Sequence, residues 1–480
     1  MGIMEKLNLL FTPSGIRGRI KKDLNPQIVK KIVIAFSSSL NTNDRRIIIG
    51  RDTRPSGKEF EKEVIEGLIE NDFKVINVGV CPTPVIIHAK NKLDIPNGII
   101  ITGSHNSEEW NGLKLISSET FLDAVEMEEI KNRLSTVRLK SLFHKKKKVH
   151  KSIEYLNPIR HYTQDLFRHI DLEATISRNN LKVVIDSGAG TGKLVTPQIL
   201  TQMGCKVRSI NDKLIIKSSF PRGIEPKETN LRDLIMEVWQ GKYDLGFAHD
   251  SDADRLAIIG DDGVYYSGDI GLSLIVEDYL KIFHNSSKEI SIITNLATSL
   301  RFEVLAEKYN ARVIRTSIGE RYLITKINEL MEEGNNENLL VFGGEGSGGG
   351  FIFPYFNNTR DGIFAAAKIV EILVRTEQKI SDLISSLPKY HSHREKIEIR
   401  NTDIRILIDH IKKELFEEGE DVMQINHDLR FGMGKEWFVL IHPSNTEPVI
   451  RVITEAKRES LARVYCEATT ELIKLIISRM

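Results

Sequence analysis

One pattern recurs three times along this chain and restricts its fold more than any other feature. Each copy reads as a strand, a polar loop, a helix, a second strand, and a third strand that empties into a loop rich in chemical groups. In the first copy residues 46–49 end in Gly50-Arg51-Asp52-Thr53-Arg54. A helical stretch (58–71) and a strand (74–78) follow, and then the β-branched run 99–101 enters Thr102-Gly103-Ser104-His105-Asn106. In the second copy residues 182–185 end in Asp186-Ser187-Gly188-Ala189-Gly190, and residues 244–247 deliver His249-Asp250-Ser251-Asp252-Ala253-Asp254-Arg255. In the third, residues 291–293 end in Thr294-Asn295, and residues 339–342 deliver Gly343-Gly344-Glu345-Gly346-Ser347-Gly348-Gly349. Strands alternating with helices predict an α/β protein whose parallel or mixed sheets are flanked by helices. Ligands of open α/β sheets sit beyond the strand ends. Three similar mixed-sheet α/β domains are therefore expected to offer one loop each to a central cleft.

At 480 residues the chain exceeds one ordinary core. The expected domains are residues 1–155 with the serine loop, 156–261 with the aspartate loop, 262–386 with the Glu345 loop, and 387–480. Beyond a seam near Ser386-Leu387-Pro388-Lys389 the pattern changes. An alternating strand (396–399), a helix (403–417), a strand (437–441) and a closing helix (461–478) predict a smaller C-terminal α+β domain. The run Lys145-Lys146-Lys147-Lys148, within residues 140–151, has no aromatic interleaving and reads as a solvated linker or helix end rather than a nucleic-acid site. With 67 Lys and Arg against 66 Asp and Glu, net charge favours neither nucleic acid nor membrane. Cys81, Cys205 and Cys466 form no CxxC pair, which fits a reducing compartment. No apolar stretch approaches a transmembrane length, and a cytoplasmic location is expected.

Several groups could carry chemistry. Ser104, freed by Gly103 and followed by Lys114, can attack or carry a phosphoryl group if charge neutralisation is near. Arg17 and Arg19 lie in a Gly-rich loop from Phe11 onward, and a guanidinium fork suits phosphate. Asp250, Asp252 and Asp254 stand on alternate residues, on one side if the segment is extended; hard oxygens at that density suit Mg²⁺ or Ca²⁺. Arg255 can pair with a carboxylate or an anionic ligand. Glu345 and Ser347 can accept from and donate to neighbouring sugar hydroxyls. His442-Pro443-Ser444-Asn445-Thr446-Glu447-Pro448, followed by Arg451, reads as a monophosphate nest. A Walker lysine and a GxGxxG are both absent from that loop, which disfavours nucleotide hydrolysis and nicotinamide binding.

Together these motifs resemble the α-D-phosphohexomutase superfamily, the phosphoglucomutases and phosphomannomutases. That family's loops read T-[AG]-S-H-N-P, D-x-D-x-D-R, G-E-x-S-G and R-P-S-x-T-E-P. Here TGSHNS, DSDADR, GEGSGG and HPSNTEP stand in the same order across nearly the whole chain. The resemblance implies that Ser104 is the phosphorylated serine and that Asp250, Asp252 and Asp254 bind Mg²⁺ together with its phosphate. Arg17 and Lys114 would line the reacting centre, with Lys114 a candidate for acid/base assistance. Glu345 and Ser347 would hold sugar hydroxyls, while Ser444, Asn445, Thr446 and Arg451 would grip the phosphate that is not reacting. A hexose 1-phosphate and its 6-phosphate would interconvert through a 1,6-bisphosphate, which also serves as activator. Glucose and mannose phosphates are the expected substrates, with phosphoglucosamine mutase as the enzymatic alternative and a sugar-phosphate-binding regulatory protein as the non-enzymatic one. Three departures stand out: Gly349 where many members have a histidine, His442 where the phosphate loop opens with arginine, and Ser107 where proline follows the SHN triplet.

Overall fold

In the computed structural model, residues 8–12, 15–118, 120–137, 152–213, 219–333, 338–346, 348–399, 402–444 and 448–480 are described. The lysine run within 140–151, and Ser347, Asn445 and Thr446, lie outside the described residues. The chain forms two compact units: Met1–Ile275 with Gly348–Ile384, and Val276–Ser347 with Ser385–Met480.

The first unit opens with strands β1 (Leu10–Thr12), β2 (Gly15–Arg19), β3 (Arg46–Arg51), β4 (Lys74–Val80), β5 (Asn97–Ile101), β6 (Trp110–Ser117), β7 (Thr120–Phe121) and β8 (Ile153–Tyr155). They form one mixed sheet in the order β1-β2-β6-β5-β3-β4-β8, with β7 beside β6. β3, β4, β5 and β8 run parallel, and β6 returns antiparallel to β5. Ile47, Ile48, Ile49, Ile99, Ile100 and Ile101 are all fully buried, as strands covered on both faces require. The helix Pro26–Ser39 shows how the covering layer is specified. Asn25 caps it by accepting from the Ile28 amide, proline occupies its first turn, and Ile28, Val29, Ile32, Val33 and Phe36 form its buried stripe.

The second sheet, β9 (Lys182–Asp186), β10 (Lys206–Ile210), β11 (Leu245–Ala248), β12 (Ala257–Gly260) and β13 (Tyr265–Tyr266), has the order β10-β9-β11-β12-β13. β10 and β11 flank β9 in parallel, and β12 returns antiparallel to β11. The third repeat has the same parallel core in the second unit: β15 (Arg312–Thr316) and β16 (Leu339–Gly344) flank β14 (Glu289–Asn295). The antiparallel pair β17 (Phe351–Phe353) and β18 (Asn357–Asp361) belongs to the first unit. In all three repeats, then, the first strand lies between the other two, and the third strand leads into the loop singled out by sequence.

The C-terminal sheet is wholly antiparallel, in the order β19-β23-β22-β21-β20: β19 (His391–Glu398), β20 (Met423–Ile425), β21 (Asp428–Met433), β22 (Trp437–Pro443) and β23 (Val449–Ala456). One face packs Leu429, Val439, Ile441, Ile450 and Val452 against the helices Ile404–Glu417 and Glu459–Arg479. The opposite face carries Phe438, Leu440 and Ile453, which pack on Leu296 and Leu300 of the same unit. The chain is therefore an α/β protein with three α/β sheets and an antiparallel C-terminal sheet. Among the described residues no helix is long and apolar enough to cross a membrane. All three cysteines are buried free thiols.

Candidate active site

Two strand ends in the first unit bring the reactive groups together. β5 hands the chain to the serine loop and β6 carries it back, with Ile100 opposite Lys114 in the register. A lysine ten residues after the serine is thereby returned beside the loop. β11 hands the chain to the aspartate loop in the same way. Alternation places these three carboxylates on one side only if the segment is extended. The segment is not extended: residues 250–253 form a turn, with Ala253 at φ +57°, and the backbone reversal gathers the carboxylates.

Ser104, 3% exposed and at φ +48°, donates its hydroxyl to Asp250 Oδ2 at 3.0 Å. Lys114 Nζ lies 2.7 Å from Asp252 Oδ2 and 2.9 Å from Asp254 Oδ2. Thr83 donates to Asp252 Oδ2 at 2.6 Å, and Arg360 Nη2 to Asp254 Oδ2 at 2.8 Å. The second oxygens, Oδ1 of Asp250, Asp252 and Asp254, are buried with no hydrogen-bond partner among the described residues. Each aspartate offers one oxygen within 4.8 Å of the others'. Three buried carboxylates this close together, each with an oxygen that no described residue satisfies, form the donor set of a hard divalent cation, so these residues fit Mg²⁺.

The electrostatics follow from burial. Burial, then the charges of Asp254 and Asp252, push Asp250 well above the usual carboxylate range. Burial would raise Asp254 too, but Arg360, Lys114 and Arg255 together hold it below that range. Arg17, on β2 opposite Gly112, is 6% exposed; burial lowers it to about 10, against the pull of Asp252. Arg255 Nη2 lies 2.9 Å from His105 Nδ1, and its Nη1 3.4 Å from Glu225 Oε1. The Arg255 charge and then burial keep His105 well below 6.5, so it is neutral and its Nδ1 accepts the hydrogen bond that Arg255 Nη2 donates.

In the second unit, Glu345 follows β16 directly. Its Oε1 accepts from Asn295 Nδ2 and from the Gly319 amide, both at 2.9 Å. Those bonds fix a buried carboxylate at a loop the sequence alone left open to a flexible turn. Ser444 follows β22, its amide bonded to the Val449 carbonyl at 2.9 Å, and Arg451 lies opposite His442 on the adjoining strands. His442 Nδ1 is 2.6 Å from Asp428 Oδ1.

Other residues at the site went unassigned by sequence: Asp52, Arg54, Thr83, Thr102, Ser251, His105 and Arg360. Asp52 and Arg54 stand in a loop that closes a repeat strand, which was a signal without a role. Thr83 and Arg360 reach the aspartates from 169 and 106 residues away and have no local signature. Gly349 has a structural reason of its own. It sits at φ +68°, and a Cβ there would lie 2.2 Å from the Leu256 carbonyl oxygen. No histidine fits this backbone.

Comparison with known proteins agrees with this geometry. Residues 8–140, 160–263 and 267–390 match phosphoglucomutase/phosphomannomutase α/β/α domains I, II and III. A phosphoglucomutase/phosphomannomutase of Thermococcus kodakarensis is 33% identical over 97% of this chain and 98% of its own. A phosphoglucosamine/phosphogalactosamine mutase of Sulfurisphaera tokodaii is 31% identical over 97% and 99%. A probable phosphoglucosamine mutase of Pyrococcus abyssi is 30% identical over 98% of each. The crystal structure of a phosphoglucomutase/phosphomannomutase family protein from Burkholderia thailandensis shares the fold, with a TM-score of 0.80, 23% identity and 97% coverage of both chains. The chain belongs to the phosphoglucomutase/phosphomannomutase family of the α-D-phosphohexomutase superfamily and is a phosphohexomutase.

Proposed function

We propose that the protein interconverts the 1- and 6-phosphates of glucose and mannose through a phosphoserine at Ser104 and a hexose 1,6-bisphosphate. The observation that carries this reading is a buried serine hydroxyl 3.0 Å from one of three carboxylates whose Oδ1 atoms have no partner among the described residues. Asp250, Asp252 and Asp254 would hold Mg²⁺ with the phosphate of Ser104; the ion would offset charge on the transferring group. A sugar hydroxyl oxygen forms the new bond to phosphorus as the bond to Ser104 Oγ breaks. The hydroxyl proton leaves, and a proton is supplied to the serine oxygen. Lys114 is our assignment for that exchange, since position 349 has no room for an imidazole. Arg17 lines the reacting centre. Arg255 orients the neighbouring His105 and is a candidate contact to the substrate. Glu345 and Ser347 are assigned to sugar hydroxyls, and Ser444, Asn445, Thr446 and Arg451 to the distal phosphate. After transfer the bisphosphate turns over and returns its other phosphate to Ser104.

Phosphoglucosamine mutase is the second reading, favoured by relatives of that name at 30–32% identity. A carboxylate aimed at the 3- and 4-hydroxyls grips groups that all three sugars share and cannot readily discriminate at C2. Glucose 1-phosphate and mannose 1-phosphate should therefore have kcat/KM values within about tenfold, about 1.4 kcal/mol in transition-state binding, with glucosamine 1-phosphate slower. Parallel kinetics on the three sugars decide this, and a clear glucosamine preference replaces the first reading with the second. Intact mass should show one phosphoryl group, lost on adding substrate and absent in Ser104→Ala.

A further inference from the structure

Arg54 bonds no side chain assigned to the reaction's chemistry, yet every donor it has is spent on Asp52 and the serine loop. It is 1% exposed, and all five of its N–H groups are used. Nε bonds Asp52 Oδ2 at 3.1 Å. Nη1 donates to the carbonyls of Ser107 and Trp110, both at 2.8 Å. Nη2 donates to the carbonyls of Ser104 at 2.7 Å and Asn106 at 2.6 Å. Asp52 holds the guanidinium from behind: it accepts the Arg54 amide at 2.9 Å and the Thr102 hydroxyl at 2.7 Å. Thr102 Oγ1 in turn accepts the Ser104 amide at 2.7 Å, and Ser251 Oγ lies 2.9 Å from Asp52 and 2.8 Å from the Ser104 carbonyl.

Across a trans peptide, a carbonyl and the next N–H point in opposite directions, and no cis bond occurs among the described residues. The Ser104, Asn106 and Ser107 carbonyls drawn onto one guanidinium therefore turn the amides of His105, Ser107 and Glu108 away from it, while Asn111 continues β6 opposite Gly18 of β2. The His105 amide follows the serine directly. The arrangement also holds Ser104 at φ +48°, a conformation that costs a serine about 1 kcal/mol or more and persists only where its surroundings impose it. We propose that Arg54, backed by Asp52, is a positioning residue that shapes the serine loop into a receptor for the phosphate on Ser104, its amides facing the phosphoryl oxygens. Lysine cannot replace it, because a point charge with three donors cannot bridge four carbonyls and a carboxylate.

This inference rests on the phosphoserine reading, and the test separates the two. In Arg54→Lys and Arg54→Met the kcat should fall at least hundredfold with KM nearly unchanged, the size expected for losing preorganised donors. The ³¹P resonance of phosphorylated Ser104 should move toward that of an exposed phosphoserine, whose second pKa is about 6. Arg54→Lys with wild-type kcat and an unmoved ³¹P signal overturns the proposal. Should both variants fail to fold, Asp52→Asn decides: it keeps the shape and must give the same kcat loss and ³¹P shift, and wild-type behaviour overturns the proposal. If the wild-type protein carries no phosphoserine, the mutase reading fails on its own. The positioning role is then read by hydrogen exchange. Arg54→Lys must expose the Ser104 and Asn106 amides while β5 and β6 keep their protection, and unchanged loop protection overturns it.

Discussion

Gly349 shows how far a single backbone angle reaches. With φ at +68° and the Leu256 carbonyl oxygen 2.2 Å from the place of a Cβ, it meets both a conformational and a steric barrier to any side chain. Gly349→Ala should lower stability by about 2 kcal/mol or more, since the left-handed backbone alone costs roughly 1–2 and the carbonyl must also move. Urea denaturation checks it, and a variant as stable as the parent would mean the chain reroutes here without cost. The same residue limits the chemistry, because a histidine introduced at 349 cannot restore a proton-transfer group without displacing the Leu256 carbonyl. His442 departs from the family in a different way. Bonded to Asp428, it is already engaged by a carboxylate where an arginine would present a permanent charge.

Among the elements, those whose pattern is local were legible in the sequence and those whose role is relational were not. Ile47–Ile49 and Ile99–Ile101 announce strands because a β-branched run bounded by polar loops has few other uses. The aspartate turn was legible in composition but not in conformation, since alternate carboxylates look the same on paper in a strand and in a turn. Thr83 and Arg360 were invisible because their partners are distant in sequence, and no periodicity encodes which strand ends will meet. His88 is a similar case with a measurable consequence. It lies in the helix Thr83–Lys92, buried, with Nε2 3.1 Å from Asp165 Oδ2 and its ring 5.4 Å from those of Tyr162 and Phe356. Burial outweighs the pull of Asp165 and holds His88 below 6.5; burial and then Lys368 do the same to His169. A base with a depressed folded pKa takes up protons more readily when unfolded. The stability it contributes is therefore complete above pH 6.5 and is lost as pH falls through that value toward the folded one. The urea midpoint should fall between pH 7.5 and 5.5, and His88→Gln, which keeps a donor near Asp165, should flatten that fall. An equally steep fall in the variant would assign the acid sensitivity elsewhere.

At the scale of the whole molecule, metal binding and stability are linked through the first unit. Asp250, Asp252 and Asp254 are each 1% exposed or less, and the described residues offer no hydrogen bond to three of their six oxygens. Lys114, Arg360 and the Ser104 hydroxyl satisfy the inner oxygens, but the cluster remains a place where like charges meet at low dielectric. Folding without a cation must bear that repulsion, whereas folding with one does not, so Mg²⁺ should bind the folded state and stabilise it by mass action. At a hundred times its dissociation constant the gain is about 2.7 kcal/mol, which slows by about a hundredfold those amides that exchange only when the first unit opens. Protection should rise most in the turn at 249–256 and the serine loop at 102–110. The second unit contains none of the three carboxylates, and amides of its C-terminal sheet should keep their rates. Chelation should reverse the effect and abolish turnover. Asp252→Asn removes a charged ligand and should abolish the Mg²⁺ response while leaving the metal-free protein no less stable, because the lost bond to Lys114 is offset by relief of repulsion from Asp250 and Asp254. Hydrogen exchange with and without Mg²⁺, on both proteins, measures this directly. Equal protection in the two would show that the cation binds elsewhere, and no protection in either would remove the three aspartates as a metal site.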